Sequence, residues 1–256
     1  MIRNFVILRV CYFFCLASTL ICYSCDGEEL LTTLEAKQYV IAHRGSYSFH
    51  GLPENSRAAL REALSLDILG TEFDVRQTKD GVLVINHDDI YGGMEISKTE
   101  FKELSSYKLN NGETIPTLED FFAIHQEIKS SKILFIDLKN CDVNTVVDLV
   151  KEYNIQDNVM YIVSKKVYCD RIVYMGLGNY ILYLNGDLTP HEAKNEGYKG
   201  ISYHESVFNT HPKWLQEAKD LGLTVCIWPI NSIDKMKYYV SRGILISTDV
   251  PTLYKN

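Results

Sequence analysis

The stretch Ile41–Asp88 reads IAHRGSYSFHGLPENSRAALREALSLDILGTEFDVRQTKDGVLVINHD, and three apolar runs in it lead into polar side chains. The first run ends at His43, the second carries Glu72 and Asp74, and the third ends at His87. Side chains alternate along a strand, so Glu72 and Asp74 should point to the same side. The pattern therefore places two histidines and two carboxylates at the rim of a sheet or barrel.

The third run predicts a hairpin rather than another parallel strand. Only the six residues 76–81 separate the second run from the third. A parallel neighbour needs a crossover of about a dozen residues or more. The segment 82–86 should therefore turn back at Asp80-Gly81 and bring His87 towards the two carboxylates.

Outside this hairpin, strands and helices alternate along the chain. Eight apolar segments are predicted strands, at 39–43, 71–75, 132–138, 159–163, 180–184, 200–203, 224–228 and 244–247. Helical patterns follow them, at 53–67, 97–107, 117–128, 143–153, 165–175, 190–195, 212–221 and 233–241. This order predicts an α/β fold, a (β/α)8 TIM barrel with a β-hairpin excursion after strand 2. Functional residues of such barrels lie at the C-terminal ends of the strands.

The first 25 residues differ from the rest of the chain. Two arginines precede residues 10–25, which carry no charge, a length typical of a signal peptide and short of the about 20 residues of a membrane span. We expect a signal segment at 1–25, a short tether at 26–37 and one barrel domain at 38–256. The domain should be exported.

Cys25 directly follows the apolar segment and resembles a bacterial lipoprotein processing site, although Cys22 stands where such sites usually carry leucine. Two interpretations fit. Cys25 is lipidated and anchors the protein to a membrane, or the segment is an ordinary cleaved signal or an uncleaved anchor.

Charge and cysteine spacing argue against a nucleic-acid-binding protein and against a fold held by disulfides or by cysteine-bound metal. Removal of residues 1–24 leaves 24 basic and 33 acidic side chains, a formal charge of −9 without a basic run, so nucleic acid is not an expected partner. Three scattered cysteines beyond the N-terminal segment form no disulfide framework or metal-ligand spacing: Cys141, Cys169 and Cys226. Cys226 lies in an apolar strand and should be a buried small hydrophobe.

Short motifs in a fixed order resemble the glycerophosphodiester phosphodiesterase family, which is related to the phosphatidylinositol-specific phospholipases C. The motifs of the first stretch are H-R-G, P-E-N-S, E-F-D-V, T-K-D-G and H-D. Downstream the chain adds I-P-T-L-E-D, I-D-L-K, I-W-P-I-N and S-T-D-V-P. The resemblance covers residues 38 to 256 and implies the same barrel.

The resemblance implies that Glu72, Asp74 and Asp137 hold a divalent cation. Hard oxygen ligands suit Ca²⁺ or Mg²⁺ and argue against a zinc site. The family usually has Glu where this chain has Asp137, one methylene shorter. Alternatively, the carboxylates are paired with arginine and lysine side chains.

The resemblance also makes His43 and His87 an acid–base pair, a role that imidazole can fill near neutral pH. Arg44 would clamp phosphate oxygens, or else form a salt bridge to Glu72. Lys139 would neutralise charge in the transition state, or else form an ion pair that lines the barrel. Trp228 would pack on the alcohol part of the substrate, or else fill the core.

The implied activity is cation-dependent hydrolysis of a small-molecule glycerophosphodiester to an alcohol and glycerol 3-phosphate. The alternatives are a phospholipase C- or D-like enzyme that acts on intact lipids, and a non-catalytic surface barrel. After H-D the family commonly has an R-T-T-containing segment, whereas residues 89–97 read DIYGGMEIS. The preferred alcohol should therefore differ from that of glycerophosphocholine-type substrates. Glu54 and Asn55 are expected to orient the site, or Asn55 caps a helix instead. Asp249 is expected to be a cap or a group behind the ligands.

Overall fold

The computed structural model describes residues 37–255, and this part contains eleven strands. In chain order they are β1 (Val40–Ala42), β2 (Gly70–Gln77), β3 (Leu83–Ile85), β4 (Ile90–Tyr91), β5 (Met94–Glu95), β6 (Ile133–Asn140), β7 (Val159–Val163), β8 (Ile181–Tyr183), β9 (Gly200–His204), β10 (Thr224–Trp228) and β11 (Leu245–Thr248). Eight of them are parallel and lie in the order β1-β11-β10-β9-β8-β7-β6-β2. Pairing of β1 with both β2 and β11 closes the barrel. The predicted (β/α)8 fold is confirmed.

Nine α-helices lie between the strands in the described residues. They are α1 (Arg57–Ser65), α2 (Phe101–Leu104), α3 (Leu118–Glu127), α4 (Val143–Glu152), α5 (Lys166–Tyr174), α6 (Pro190–Asn195), α7 (Glu205–Thr210), α8 (Trp214–Asp220) and α9 (Ile233–Val240). The first begins later than the pattern predicts, because Ser56 rather than Asn55 caps it by accepting from the Ala59 amide at 3.0 Å. Thr117 and Asp120 form the predicted capping box of α3. The predicted helix 97–107 is reduced to a 3₁₀ turn and the single turn of α2.

The predicted hairpin excursion is present. Strand β3 runs antiparallel to β2, with Val75 opposite Ile85, and stays outside the barrel. A second small hairpin, β4–β5, follows it. Both pack over their own apolar cluster, made of Val84, Tyr91, Ile96, Leu104 and Ile115. This cluster holds the loop that carries His87 above the barrel mouth.

Two apolar layers support the site. The large layer lies between strands and helices, and a smaller cluster fills the barrel interior: Ile41, Phe135, Ile162, Leu182 and Cys226. Cys226 is fully buried, as predicted, and burial raises the pKa of its thiol to about 12. The interior is thus closed with side chains below the level of the polar residues.

The predictions for the signal segment, for Cys25 and for the tether up to residue 36 lie outside the described residues. Between residues 37 and 255, no helix is both long and apolar enough to span a bilayer.

Candidate active site

Three carboxylates converge at the C-terminal ends of β2 and β6. Asp74 lies directly opposite Asp137 in the β2–β6 ladder, and Glu72 lies one pleat earlier on the same face. Gly70 permits this pairing, since a Cβ there would lie 2.0 Å from the Ile133 carbonyl oxygen. One oxygen from each carboxylate lies within 4.8 Å of the others, and all three residues are buried.

Crowding of the three carboxylates perturbs their ionisation. Burial, and then the negative charge of Asp74, raises the pKa of Glu72 to about 8. Burial likewise raises the pKa of Asp137 to about 6, although Lys139 opposes the change. The pKa of Asp74 moves the other way: burial would raise it, but the Lys139 charge and a hydrogen bond from Asn55 hold it below its usual value. The cluster therefore requires positive charge to be fully ionised.

Lys139 supplies part of that charge. Its Nζ lies 2.7 Å from Asp137 Oδ2 and 3.1 Å from Asp74 Oδ1. The two carboxylates raise the pKa of Lys139 despite its burial. Asn55, in the left-handed backbone region at φ 56°, donates to Asp74 Oδ2 at 2.8 Å and fixes its orientation. Asn55 therefore holds a carboxylate in place.

The donor set fits a hard divalent cation. Asp137 Oδ1 is buried and, within the described residues, has no hydrogen-bond partner. A buried carboxylate oxygen without a partner is costly, and a cation bound between Glu72, Asp74 and Asp137 would satisfy it. Three carboxylate oxygens without thiolate or imidazole suit Ca²⁺ or Mg²⁺.

His43 follows β1 and is held by a partly buried network. Its Nδ1 lies 2.7 Å from Asp249 Oδ1, and its Nε2 lies 3.8 Å from Glu72 Oε2. Burial disfavours the imidazolium, but the hydrogen bond to Asp249 and the charge of Glu72 outweigh it and raise the pKa of His43. Asn231 donates to the other Asp249 oxygen at 2.7 Å, and the Tyr47 hydroxyl also bonds this carboxylate.

Asp249 is correspondingly acidic. Its burial would raise the pKa, but the hydrogen bonds from His43 and Asn231 lower it to about 2. Asp249 is therefore ionised at all physiological pH values and accepts the Nδ1 proton of His43. This leaves Nε2 as the nitrogen of His43 that faces the pocket.

His87 reaches the same pocket from the hairpin side. The Arg76 guanidinium donates twice to the His87 carbonyl, at 3.0 and 2.6 Å, and the Asn86 amide donates to the Asp74 carbonyl at 3.0 Å. The His87 Nδ1 lies 2.8 Å from Asp88 Oδ1. That carboxylate is 76% exposed, whereas Asp249 is 24% exposed. The carboxylate partner of His43 is therefore more buried than that of His87.

Arg44 lies at the pocket with its backbone in the left-handed region at φ 53°. Its amide, not its side chain, bonds Glu72, at 2.9 Å. The guanidinium donates to both Glu54 oxygens at 2.9 and 3.0 Å and lies 3.6 Å from Asp74. The predicted alternative of an Arg44–Glu72 salt bridge is wrong, because the guanidinium is paired with Glu54 and only the backbone amide of Arg44 contacts Glu72.

These groups line one cavity of about 390 Å³. It contains all eight residues that the sequence predicts for the site: His43, Arg44, Glu72, Asp74, His87, Asp137, Lys139 and Trp228. Ile162, Leu184 and the indole of Trp228 add apolar surface to the lining. The indole is fixed by a 3.0 Å hydrogen bond from its Nε1 to the Ser202 carbonyl. The cavity lining thus combines charged and apolar side chains.

The family model "Glycerophosphoryl diester phosphodiesterase family" matches residues 43–179, more than half of the chain. The chain belongs to this family. A glycerophosphodiester phosphodiesterase of Caldanaerobacter subterraneus subsp. tengcongensis is 30% identical over 246 residues, which cover 85% of this chain and 96% of that protein.

Solved structures of the family are similar as well. A glycerophosphodiester phosphodiesterase from Parabacteroides distasonis superposes with a TM-score of 0.80 at 32% identity, over 86% of this chain and 95% of that one. An Oleispira antarctica phosphodiesterase, solved in complex with the product sn-glycerol-3-phosphate, has a TM-score of 0.74 at 23% identity, over 88% and 98% of the chains. At that identity the second likeness shows the fold.

The sequence did not reveal the network behind His43. Asn231 lies 18 residues before Asp249, and Asp249 lies 206 residues after His43, so no local pattern connects them. The only signal was the presence of both residues in the I-W-P-I-N and S-T-D-V-P motifs. Asp249, expected to be a cap or a group behind the ligands, contacts His43 rather than one of the three carboxylates. Tyr47 carried no signal.

Proposed function

We propose that this enzyme, a phosphoric diester hydrolase by its family, hydrolyses glycerophosphodiesters to an alcohol and glycerol 3-phosphate. The reaction uses a divalent cation and general acid–base catalysis by His43 and His87. The observation that supports this most strongly is the meeting of both histidines with the three carboxylates in one cavity.

Glu72, Asp74 and Asp137 would hold the cation, which we propose to be Ca²⁺ or Mg²⁺. When bound, it would supply positive charge that stabilises the negative charge of the phosphate oxygens. Lys139 already lies within 3.1 Å of two of these carboxylates, so it adds charge at the same edge of the cavity. Together these charges receive an anionic diester on a protein that is itself acidic.

Cleavage of the diester removes one proton from the attacking oxygen and gives one to the leaving alkoxide. His43 and His87 divide these two tasks, each worth about 10²–10⁴-fold in rate. Asp249 fixes the ring of His43 and stabilises its imidazolium. Arg44 binds the phosphate, and Trp228 packs on the alcohol part.

The proposal is tested by turnover of a panel of phosphodiesters with and without chelator. We expect loss of glycerophosphodiester turnover in excess chelator and recovery with added Ca²⁺ or Mg²⁺. Phosphorus NMR of the product separates hydrolysis from formation of a cyclic phosphate or release of a lipid headgroup. Full turnover in excess chelator would refute the role of a cation. Absence of turnover across the whole panel would indicate a non-catalytic barrel.

We also propose that the protein is exported and anchored through Cys25, supported by Arg3, Arg9 and the uncharged segment that follows. One acyl chain holds a protein only marginally, at about 0.8 kcal/mol per buried CH₂, so a multiply acylated cysteine is needed. Intact-mass analysis of membrane-extracted protein should show acylated Cys25. An unmodified N-terminus beginning after Cys25 would leave a secreted enzyme.

A further inference from the structure

The main chain of His87 is held by a side chain, the guanidinium of Arg76. Its Nε and Nη2 donate to the His87 carbonyl at 3.0 and 2.6 Å. Within residues 37–255 these are the only hydrogen bonds to the His87 main chain, because the contacts between β2 and β3 end one residue earlier, where the Asn86 amide donates to the Asp74 carbonyl. The guanidinium therefore takes the place of a backbone partner at the first residue beyond the hairpin.

Arg76 lies where β2 passes from the barrel into the hairpin. By strand alternation it shares the face of Asp74, two residues earlier. The β2–β6 ladder shifts register between Val75 and Arg76, which leaves Arg76 opposite Asn140. Such irregularities redirect side chains next to active sites. The described residues that line the cavity do not include Arg76, and its guanidinium contacts the loop that carries His87 instead.

A surface salt bridge does not account for Arg76. In the part of the chain that the structure describes, no carboxylate forms an ion pair with its guanidinium, whereas Arg57 and Arg61 each pair with a carboxylate. The charge of Arg76 is directed at a neutral carbonyl oxygen. Two donors of a rigid, planar guanidinium fix both the distance and the direction of that carbonyl, which one flexible donor would not do.

The two histidines of the site are therefore held in different ways. His43 is fixed through its ring, which bonds the Asp249 carboxylate, and that carboxylate is 24% exposed. The ring of His87 bonds the Asp88 carboxylate, which is 76% exposed, and such an exposed pair contributes little. The position of the His87 ring thus depends on its main chain, which Arg76 holds.

We propose that Arg76 is a positioning residue, which fixes the main chain of His87 and thereby the place of its imidazole at the cavity. The proposal rests on the proposed function, which assigns a proton transfer to His87. It adds a residue that touches neither the substrate nor the cation and acts through His87 alone. A displacement of about 1 Å in a reacting group can cost about 10²-fold in rate, so this contact should be visible in turnover.

The kinetic test compares Arg76→Met, which keeps an apolar stem without donors, with Arg76→Lys, which restores one charged donor. At saturating cation, on the glycerophosphodiester that the wild type turns over fastest, Arg76→Met should lower kcat by about 10- to 150-fold, the range for one hydrogen bond to a charged group. Arg76→Lys should recover part of this loss, and both variants should keep the wild-type KM and the cation-induced rise in Tm. Arg61→Met is the matched control, since Arg61 also donates twice, but to Glu127 at the surface, and kcat should change by less than about threefold.

Two further measurements separate positioning from a merely structural role. The ring resonances of His87 in NMR, assigned by their loss in His87→Ala, should shift and broaden in Arg76→Met, while those of His43 keep their wild-type positions. Addition of Arg76→Met to His87→Ala should lower the residual kcat no further, because residues that act as a unit are not additive.

Unchanged His87 resonances in Arg76→Met, or a further loss of kcat in the double variant, would overturn the proposal. Thermal melting checks the fold of each variant, and if Arg76→Met is unfolded, a smaller shift of the same resonances is expected in Arg76→Lys and its absence has the same meaning. The proposed function fails separately, if the cation-loaded wild type does not turn over a glycerophosphodiester. The resonances of His87 decide the role of Arg76 in either case.

Discussion

Replacement of Asp249 by asparagine should disable His43 while leaving the cation site intact. The carboxylate now accepts from His43 Nδ1 at 2.7 Å and from Asn231 Nδ2 at 2.7 Å. In Asp249→Asn, the Asn231 donor selects the new amide oxygen, so the new amide nitrogen faces His43. The imidazole must then accept at Nδ1 and carry its proton on Nε2, which is the wrong tautomer for the pocket.

Two effects contribute to the expected loss. Burial would raise the pKa of Asp249, but hydrogen bonds from His43, Asn231 and Tyr47 outweigh it and lower the pKa to about 2. Loss of this carboxylate should lower the pKa of His43, because its hydrogen bond and negative charge favour the imidazolium. The change of tautomer should lower kcat more than the change in pKa does, since replacement of Asp by Asn in a Ser–His–Asp triad lowers kcat by about 10⁴. We therefore expect kcat to fall by about 10²–10⁴ with little change in cation affinity.

The assay is steady-state turnover of a glycerophosphodiester at saturating cation, with NMR titration of the His43 ring. Asp88→Asn is the matched control, because Asp88 contacts His87 Nδ1 at a similar distance of 2.8 Å but is 76% exposed. We expect the control to change kcat by less than about threefold, as for an exposed pair. Wild-type kcat and an unshifted His43 titration in Asp249→Asn would refute the reasoning.

Three further predictions concern the cation site and the core. Glu72→Gln should abolish most of the rise in Tm that Ca²⁺ or Mg²⁺ produces, as checked by thermal shift; an undiminished rise would remove Glu72 from the ligands. The metal-free fold should lose stability as pH rises, because Glu72 and Asp137, with pKa values of about 8 and about 6, hold more protons folded than unfolded. Added cation should therefore raise Tm by more at pH 8 than at pH 6, as measured by melting curves. A smaller rise in Tm at pH 8 would contradict this prediction. Phe73→Ala should cost about 3–5 kcal/mol in urea unfolding, while Phe49→Ala, 69% exposed, should stay within about 0.5 kcal/mol.

The barrel and its ligands could be predicted from the sequence because both depend on local patterns. The alternation in T-E-F-D-V places Glu72 and Asp74 on one face, and the short connection to the next strand requires a hairpin. A parallel ladder then sets Asp74 opposite Asp137. The C-terminal strand ends of such a barrel lie at one face regardless of loop conformation, so the carboxylate cluster follows from the fold.

The supporting contacts could not be predicted in this way. Asn55 looks like a helix cap, but its left-handed backbone turns its amide to Asp74 and leaves the capping to Ser56. Arg44 pairs with Glu54 rather than with Glu72 because a turn brings these neighbours together. Each contact depends on backbone angles or on the closure of the barrel, which periodicity does not encode.

The central claim is that His43 and His87 carry out the proton transfers beside a carboxylate-bound cation. It is tested most directly by kcat of cation-saturated His43→Ala and His87→Ala on a glycerophosphodiester. We expect each variant to lose about 10²–10⁴-fold in kcat while it keeps wild-type melting and the cation-induced rise in Tm. A variant of either histidine with near-wild-type kcat would contradict the account.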